Sequence, residues 1–150
     1  MITIKDGDLL QATEDIIAHQ VNCHGIAGGL ALAVFDAWPE AGKAYDKSVR
    51  AARRRASQID LLGSICIVPQ PDGKSIANLF GQYWPGADYR PDILRRCLEL
   101  LSEDAKILGK SVAIPYGLSC GICGGDWRQV YNMIEETMEG VQVTLYRKTN

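Results

Sequence analysis

Two stretches of this chain share one pattern: an apolar strand-like run, a glycine-bearing loop, then the start of a helix. In the first, Ile16 to Val21 leads through Asn22–Gly29, with Gly25, Gly28 and Gly29, to a helix beginning at Leu30. In the second, Val112 to Ile114 leads through Gly117–Gly125, with Gly117, Gly121, Gly124 and Gly125, to a helix that Asp126 is placed to cap. Seven of the 15 glycines fall in these two loops. Strand-to-helix units of this kind build a parallel sheet covered by helices, because the helix must cross back over the sheet before the next parallel strand begins. Both loops then lie at the carboxyl ends of their strands, where open α/β sheets bind ligands.

The rest of the chain fits the same alternation. Ile2 to Lys5 reads as a strand, closed by Asp6-Gly7-Asp8. Pro39 starts a helix running to about Arg55, since proline's missing N–H is unneeded in a first turn. Ile65 to Val68 and Ser75 to Phe80 flank a turn at Pro71-Asp72-Gly73, which predicts a hairpin and makes the sheet mixed. Asp92 to Leu108 carries apolar residues at three- and four-residue steps, and Gly109 is its natural stop. A helix runs from Asp126 to about Met138, and Val141 to Tyr146 is the last strand. No repeat, linker or low-complexity tract divides residues 1–150, so one α/β domain is expected, at a length that buries a self-sufficient core.

The glycine loops also carry a chemical expectation. Glycine lets the backbone approach a ligand, and a helix N-terminus offers unpaired N–H groups with roughly half a positive charge. Hydrogen bonds to a charged group contribute about 1.5–3 kcal/mol each, so several such donors reach the ~8 kcal/mol of a micromolar complex without any lysine. That matters because 16 basic and 18 acidic residues leave a net charge of −2. General nucleic-acid or anionic-membrane binding is not expected from such a balance. An anion must be held by local geometry, and the reading is a phosphate site rather than two tight turns.

The odd count of five cysteines and the lack of a signal-peptide pattern point to a reducing, cytoplasmic setting. No apolar stretch approaches the ~18 residues of a membrane span. Cys120 and Cys123 form a Cys-x-x-Cys pair. No second Cys/His pair has zinc spacing, so no metal and no cofactor is expected, and the two thiols read as small residues in a tight loop rather than a redox pair. Cys66 and Cys97 read as core. The basic end of the Pro39 helix, with Lys43, Lys47, Arg50, Arg53, Arg54 and Arg55, reads as a solvated helix C-terminus, favoured by the dipole.

Three stretches carry a family resemblance: Gly7-Asp8-Leu9-Leu10; His19-Gln20-Val21-Asn22-Cys23-His24-Gly25-Ile26-Ala27-Gly28-Gly29-Leu30-Ala31 with Trp38-Pro39-Glu40-Ala41; and Ile114-Pro115 through Cys120-Gly121-Ile122-Cys123-Gly124-Gly125-Asp126-Trp127. Together with Ile76–Phe80 and Val143–Tyr146 they resemble a macrodomain, nearest the branch of the yeast ADP-ribose 1''-phosphate phosphatase and the terminal ADP-ribose protein glycohydrolase. The resemblance implies a three-layer αβα fold with a mixed, largely parallel sheet that binds ADP-ribose or a derivative. By position it places Asp8 and the Leu9 backbone at the adenine, with Tyr146 as an aromatic cover. It sets Asn22 and Gly25, Ile26, Ala27, Gly28 and Gly29 at the distal ribose, and Ser119, Cys120, Gly121, Ile122, Cys123 and Gly124 around the diphosphate.

For catalysis the resemblance is incomplete. The glycohydrolase branch uses a lysine where this chain reads Gly81-Gln82-Tyr83, and an aspartate where it has Cys123. The phosphatase branch proposes a histidine at the place of His19, so His19 and His24 are the candidate proton-transfer groups. His19 reads equally as a satisfied core histidine, and His24 as a surface residue. The residues leave open a hydrolase acting on ADP-ribose 1''-phosphate or an ADP-ribosyl conjugate, and a non-catalytic reader of ADP-ribosylated protein or nucleic acid. A nicotinamide-dependent oxidoreductase fits poorly, because Gly-x-Gly-x-x-Gly is absent.

Overall fold

The computed structural model describes residues 1–149. Six strands, β1 (Ile2–Asp6), β2 (Ile16–Gln20), β3 (Ile65–Pro69), β4 (Ser75–Leu79), β5 (Val112–Pro115) and β6 (Val143–Arg147), form one sheet in the order β1-β6-β5-β2-β4-β3. All neighbours pair in parallel except β3 with β4. That antiparallel pair is the expected hairpin, closed where the Gln70 N–H meets the Lys74 carbonyl at 2.8 Å. The sheet is therefore mixed and largely parallel, as the sequence implies.

Four helices complete the fold: α1 (Gly29–Ala37), α2 (Pro39–Arg54), α3 (Pro91–Leu108) and α4 (Trp127–Thr137). Side chains alternate across the sheet, as strand geometry requires. Ile16 and Ala18 of β2, Ala77 and Leu79 of β4, Val112 and Ile114 of β5, and Val143 and Leu145 of β6 pack under α3 and α4. Ile17, Ile76 and Ala113 face the other way, toward α1 and α2. The three layers are thus α1/α2, sheet, and α3/α4. Leu94, Leu98 and Leu101 on α3 are fully buried, each contributing about 1.5–3 kcal/mol by leaving water.

The helix ends follow their local chemistry. Gly109 closes α3 in the left-handed conformation, φ 66°. Asp126 caps α4 by accepting the Arg128 N–H at 3.0 Å. Pro91, not Asp92, opens α3. Val141 lies before β6 rather than in it, because its N–H turns back to the Met138 carbonyl. Two single 3-10 turns, Leu9–Gln11 and Gln58–Leu61, have no sequence forecast; the first forms where the Asp8 carboxylate accepts the Leu10 N–H.

Topology decides where the site lies. From β2 the chain leads, through α1 and α2, to β3 and β4 on one side. From β5 it leads through α4 to β6 on the other. The segments leaving adjacent β2 and β5 therefore diverge, and the crevice beyond their carboxyl ends is the switch point of the sheet.

Candidate functional site

A cavity of about 410 Å³ opens in that crevice. A second hollow of about 250 Å³ shares Gln20, Gly28, Leu30, Gln82, Gly121 and Cys123 with it, so the two form one groove. Its first wall is the loop after β2 and the first residues of α1; its second is the loop after β5; Gln82, Pro85 and Gly86, after β4, close the end. Among the described residues, no Asp, Glu, Lys, Arg or His lines either hollow.

The polar groups on offer are backbone N–H groups. Gly28 precedes α1 without a side-chain cap, leaving the helix N-terminus open on the groove. Among the described residues, the N–H groups of Ala27, Gly28, Gly121, Ile122 and Cys123 find no protein acceptor. Such donors, on residues that line a shared crevice, suit an anion. The two loops nevertheless differ. The N-terminus of α4 is capped by its own Asp126, whose carboxylate takes the Arg128 N–H, and no residue of α4 lines the groove. The second wall thus offers loop N–H groups rather than a helix dipole, a correction to the expected symmetry.

The first wall is held from beneath by a buried tyrosine. The Tyr45 hydroxyl accepts the Gly25 N–H at 3.0 Å and donates to Asn22, whose carbonyl lies at 2.8 Å and side-chain oxygen at 2.9 Å. Asn22 also accepts the His24 N–H at 2.9 Å and donates to the Ile26 carbonyl at 2.7 Å. Burial pushes the Tyr45 hydroxyl up to about 12, so it is a neutral phenol. Across the floor, the Gln20 amide donates to Gln82 Oε1 at 2.8 Å and reaches Cys123 Sγ at 3.5 Å, while its oxygen accepts the Ser119 hydroxyl. One side chain therefore joins all three walls. Asp88 holds the last of them, accepting the Tyr83 and Trp84 N–H groups at 2.8 and 2.9 Å.

Asn22, Ile26, Ala27, Gly28 and Gly29 line the groove, as do Ser119, Cys120, Gly121, Ile122 and Cys123. Gly25 and Gly124 shape their loops without lining it. Asp8, Leu9 and Tyr146 lie outside the lining: Tyr146, on the next strand β6, sits opposite Pro115 and its carbonyl accepts the Tyr116 N–H at 2.9 Å, while Asp8 and Leu9 follow β1, one strand beyond. Tyr146 is only 5% exposed, with its hydroxyl donating to Glu14 at 2.6 Å. Tyr116 lines the second hollow and Tyr45 the first.

Both histidines stand away from the groove, which corrects the catalytic expectation. His19 is fully buried on the α1/α2 face, 2.7 Å from Asn78 Oδ1 in the adjacent strand, and Asn78 in turn donates to the Ala41 carbonyl. Burial lowers the imidazole to about 4 despite that bond. A neutral ring without solvent access cannot exchange protons with a ligand in the groove. His24 is half-buried outside the groove lining, stacked on Trp84 with centroids 4.3 Å apart and edge-on to Tyr83.

The thiols behave as small packing groups. All five cysteines are free, and burial pushes Cys120 up to about 11, so the helix-dipole activation of a redox pair is absent there. Cys97 is buried in the core under α3, and Cys66 is half-buried against the separate cluster around Tyr45 and Phe80. The described residues hold no metal-ligating cluster, and no helix among them is long and apolar enough to cross a membrane. Sequence reasoning missed Gln20, Tyr45, Gln82, Tyr116 and Asp88. Gln20 had a signal, as the last residue of a strand leading into a glycine loop. Tyr45 had none, because it shares an apolar helical stripe with Ala41, Val49 and Ala52.

No family model matches the chain. Over 135 residues, 87% of this chain, it is 31% identical to the DNA ADP-ribosyl glycohydrolase of Mycobacterium tuberculosis, and it spans 36% of the length of that relative. The macrodomain of Mycobacterium tuberculosis DarG superposes with a TM-score of 0.80 at 29% identity, covering 97% of both chains. A macrodomain protein from Streptomyces coelicolor gives a TM-score of 0.80 at 29% identity, covering 97% of this chain and 98% of its own. The chain has the macrodomain fold.

Proposed function

We propose that the groove binds the ADP-ribosyl group, free or carried by a larger molecule, and that this chain recognises it. The observation that carries the reading is a charge-free groove at the sheet's switch point, walled by unpaired backbone N–H groups from two loops. The diphosphate lies over Gly28 and the Gly121–Cys123 segment. Five N–H donors to a charged group, at about 1.5–3 kcal/mol each, bracket the ~8 kcal/mol of micromolar binding before the cost of association is subtracted. The distal ribose faces Asn22 and Ile26, and the adenine extends past Tyr116 toward Asp8 and Leu9.

Recognition without turnover is favoured by the lining itself, which offers no carboxylate, imidazole or ammonium to move a proton. Gln82 and Cys123 stand where the resemblance would place a lysine and an aspartate. A second reading, release of ADP-ribose from a conjugate, is supported by the 31% identity to a DNA ADP-ribosyl glycohydrolase. In that case water attacks, and the loop N–H groups stabilise the developing charge. A phosphatase acting on ADP-ribose 1''-phosphate now lacks its proton-transfer group, since His19 is sealed from the groove.

Calorimetric titration with ADP-ribose, ADP, NAD and ADP-ribose 1''-phosphate tests the site. ADP-ribose is expected to bind at micromolar concentration, and Asp8→Ala to weaken it about tenfold through loss of one charged hydrogen bond. No binding by the wild type, or unaltered binding by Asp8→Ala, overturns the assignment. Incubation with an ADP-ribosylated oligonucleotide separates the readings: time-dependent release of ADP-ribose would replace recognition with hydrolysis.

A further inference from the structure

The segment that leaves β1, Gly7 to Glu14, has little backbone structure of its own. Its single 3-10 turn closes on two bonds, from the Gln11 N–H to the Asp8 carbonyl at 2.9 Å and from the Ala12 N–H to the Leu9 carbonyl at 3.0 Å. Such turns have poor hydrogen-bond geometry, so the shape of the segment must come from what it packs on. It is wrapped round one side chain. A Cβ placed on Gly7 would lie 3.8 Å from the Tyr146 ring, and the Gly7 N–H donates to the carbonyl of Arg147 at 3.0 Å. Leu9 and Ala12 share a buried cluster with Tyr146, and Leu10 packs against it. At the far end, Glu14 accepts the Tyr146 hydroxyl at 2.6 Å. Burial alone would raise the Glu14 carboxyl, but bonds from the Tyr146 and Thr144 side chains hold it below its ordinary range. The acceptor is therefore a carboxylate at neutral pH, and the bond is charge-assisted. Lys5, opposite Tyr146 in the ladder, sets its ammonium 5.7 Å from the ring centroid.

A phenylalanine would serve at this place if packing were all that mattered. The hydroxyl adds a tether to Glu14, so both ends of the segment are tied to one buried ring. Asp8 rides on that segment. It is exposed, its Oδ1 accepts the Leu10 N–H at 2.9 Å, and among the described residues its other carboxylate oxygen has no protein partner. We propose that Tyr146 and Glu14 are positioning residues for the adenine end of the groove: the tethered ring fixes where the free Asp8 oxygen stands, and so sets the preference for a purine that carries a 6-amino group. The inference rests on the reading that the adenine reaches Asp8. Tyr146 then acts from beneath the segment, instead of as the aromatic cover that the resemblance implies.

The test is calorimetric titration of the whole chain with ADP-ribose and with inosine diphosphate ribose, in which a carbonyl oxygen replaces the amino group. The wild type should prefer ADP-ribose about tenfold, the worth of one hydrogen bond to a carboxylate. Tyr146→Phe keeps the ring, and should cut that preference to about threefold or less while the affinity for the inosine ligand changes by less than about twofold. Glu14→Ala should do the same. Glu14→Gln, whose amide oxygen still accepts the phenol, should keep most of the preference. A merely structural role would weaken both ligands alike. In an Asp8→Ala background, adding Tyr146→Phe should remove nothing further from ADP-ribose binding, because both act through one contact. Circular dichroism melts establish that each variant is folded. If Asp8→Ala abolishes the preference and Tyr146→Phe keeps it, the tether is overturned and the adenine placement stands. Equal losses in Glu14→Gln and Glu14→Ala have the same consequence. A wild type that binds neither ligand or both alike, or a preference that survives Asp8→Ala, removes the adenine placement and this inference with it.

Discussion

Removing a single oxygen atom from Tyr45 tests whether the first wall of the groove is built from below. In Tyr45→Phe the ring keeps its packing against Phe35 and Phe80, 5.4 and 5.8 Å away. What goes is the acceptor for the Gly25 N–H and the donor to Asn22. A half-buried N–H left unpaired costs about 1–3 kcal/mol, and the lost donor bond about 0.5–1.5. Water reaching the loop recovers part of this, so about 2 kcal/mol of stability should disappear. Urea denaturation reads that number as a shifted midpoint at unchanged slope. The same loop carries Ile26 to Gly29, so the affinity for ADP-ribose should drop about three- to tenfold. Asn22→Ala breaks the same network from the other side. The double variant should therefore cost at least about 1 kcal/mol less than the sum of the two, since both remove one shared set of bonds. Additive costs, or a Tyr45→Phe protein within about 0.5 kcal/mol of wild type, would refute the claim that this hydroxyl organises the wall.

The buried histidine, the loop glycines and the thiols each give a further measurable outcome. His19 sits at about 4 in the folded chain against an ordinary 6.5, so the unfolded chain binds more protons between those values. Stability should be complete above about pH 6.5 and fall as pH drops, by on the order of 2 kcal/mol between about pH 7.5 and 5, with His19→Gln removing this contribution to the slope. Gly125→Ala should cost about 3 kcal/mol in urea melts, because a Cβ there would lie 2.6 Å from the Ser119 carbonyl oxygen and 2.8 Å from Tyr89. Gly121→Ala, with nothing within 4 Å, should cost less than about 1. Iodoacetamide should alkylate Cys120 at least about 100-fold more slowly than a free thiol at neutral pH, given a thiol pushed up to about 11; rapid labelling monitored by mass spectrometry would contradict the inert, half-buried assignment.

The sheet was legible because its signals are local and agree with one another. Apolar runs, glycine loops and Pro or Asp helix starts each report on a few adjacent residues. The Pro71-Asp72-Gly73 turn gave the one antiparallel pair for the same reason. The groove was half legible. Backbone donors follow from loop composition, so Gly28 and Gly121 could be found in a single sequence. Gln20 joining Ser119 and Gln82, or Asp88 gripping Tyr83 and Trp84, depends on which strands become neighbours. His19 shows the converse. Its residue type suggested chemistry, but strand alternation turned it to the α1/α2 face, where Asn78 in register consumes its Nε2. The parity of one strand position decided between a proton shuttle and a structural bolt.

The uncharged lining of the groove also bears on how fast ligands arrive. With no charge in its lining, the groove alone would capture a small nucleotide without electrostatic steering. A polyanion would gain nothing in its approach, and would be sampled by a neutral slot that judges fit.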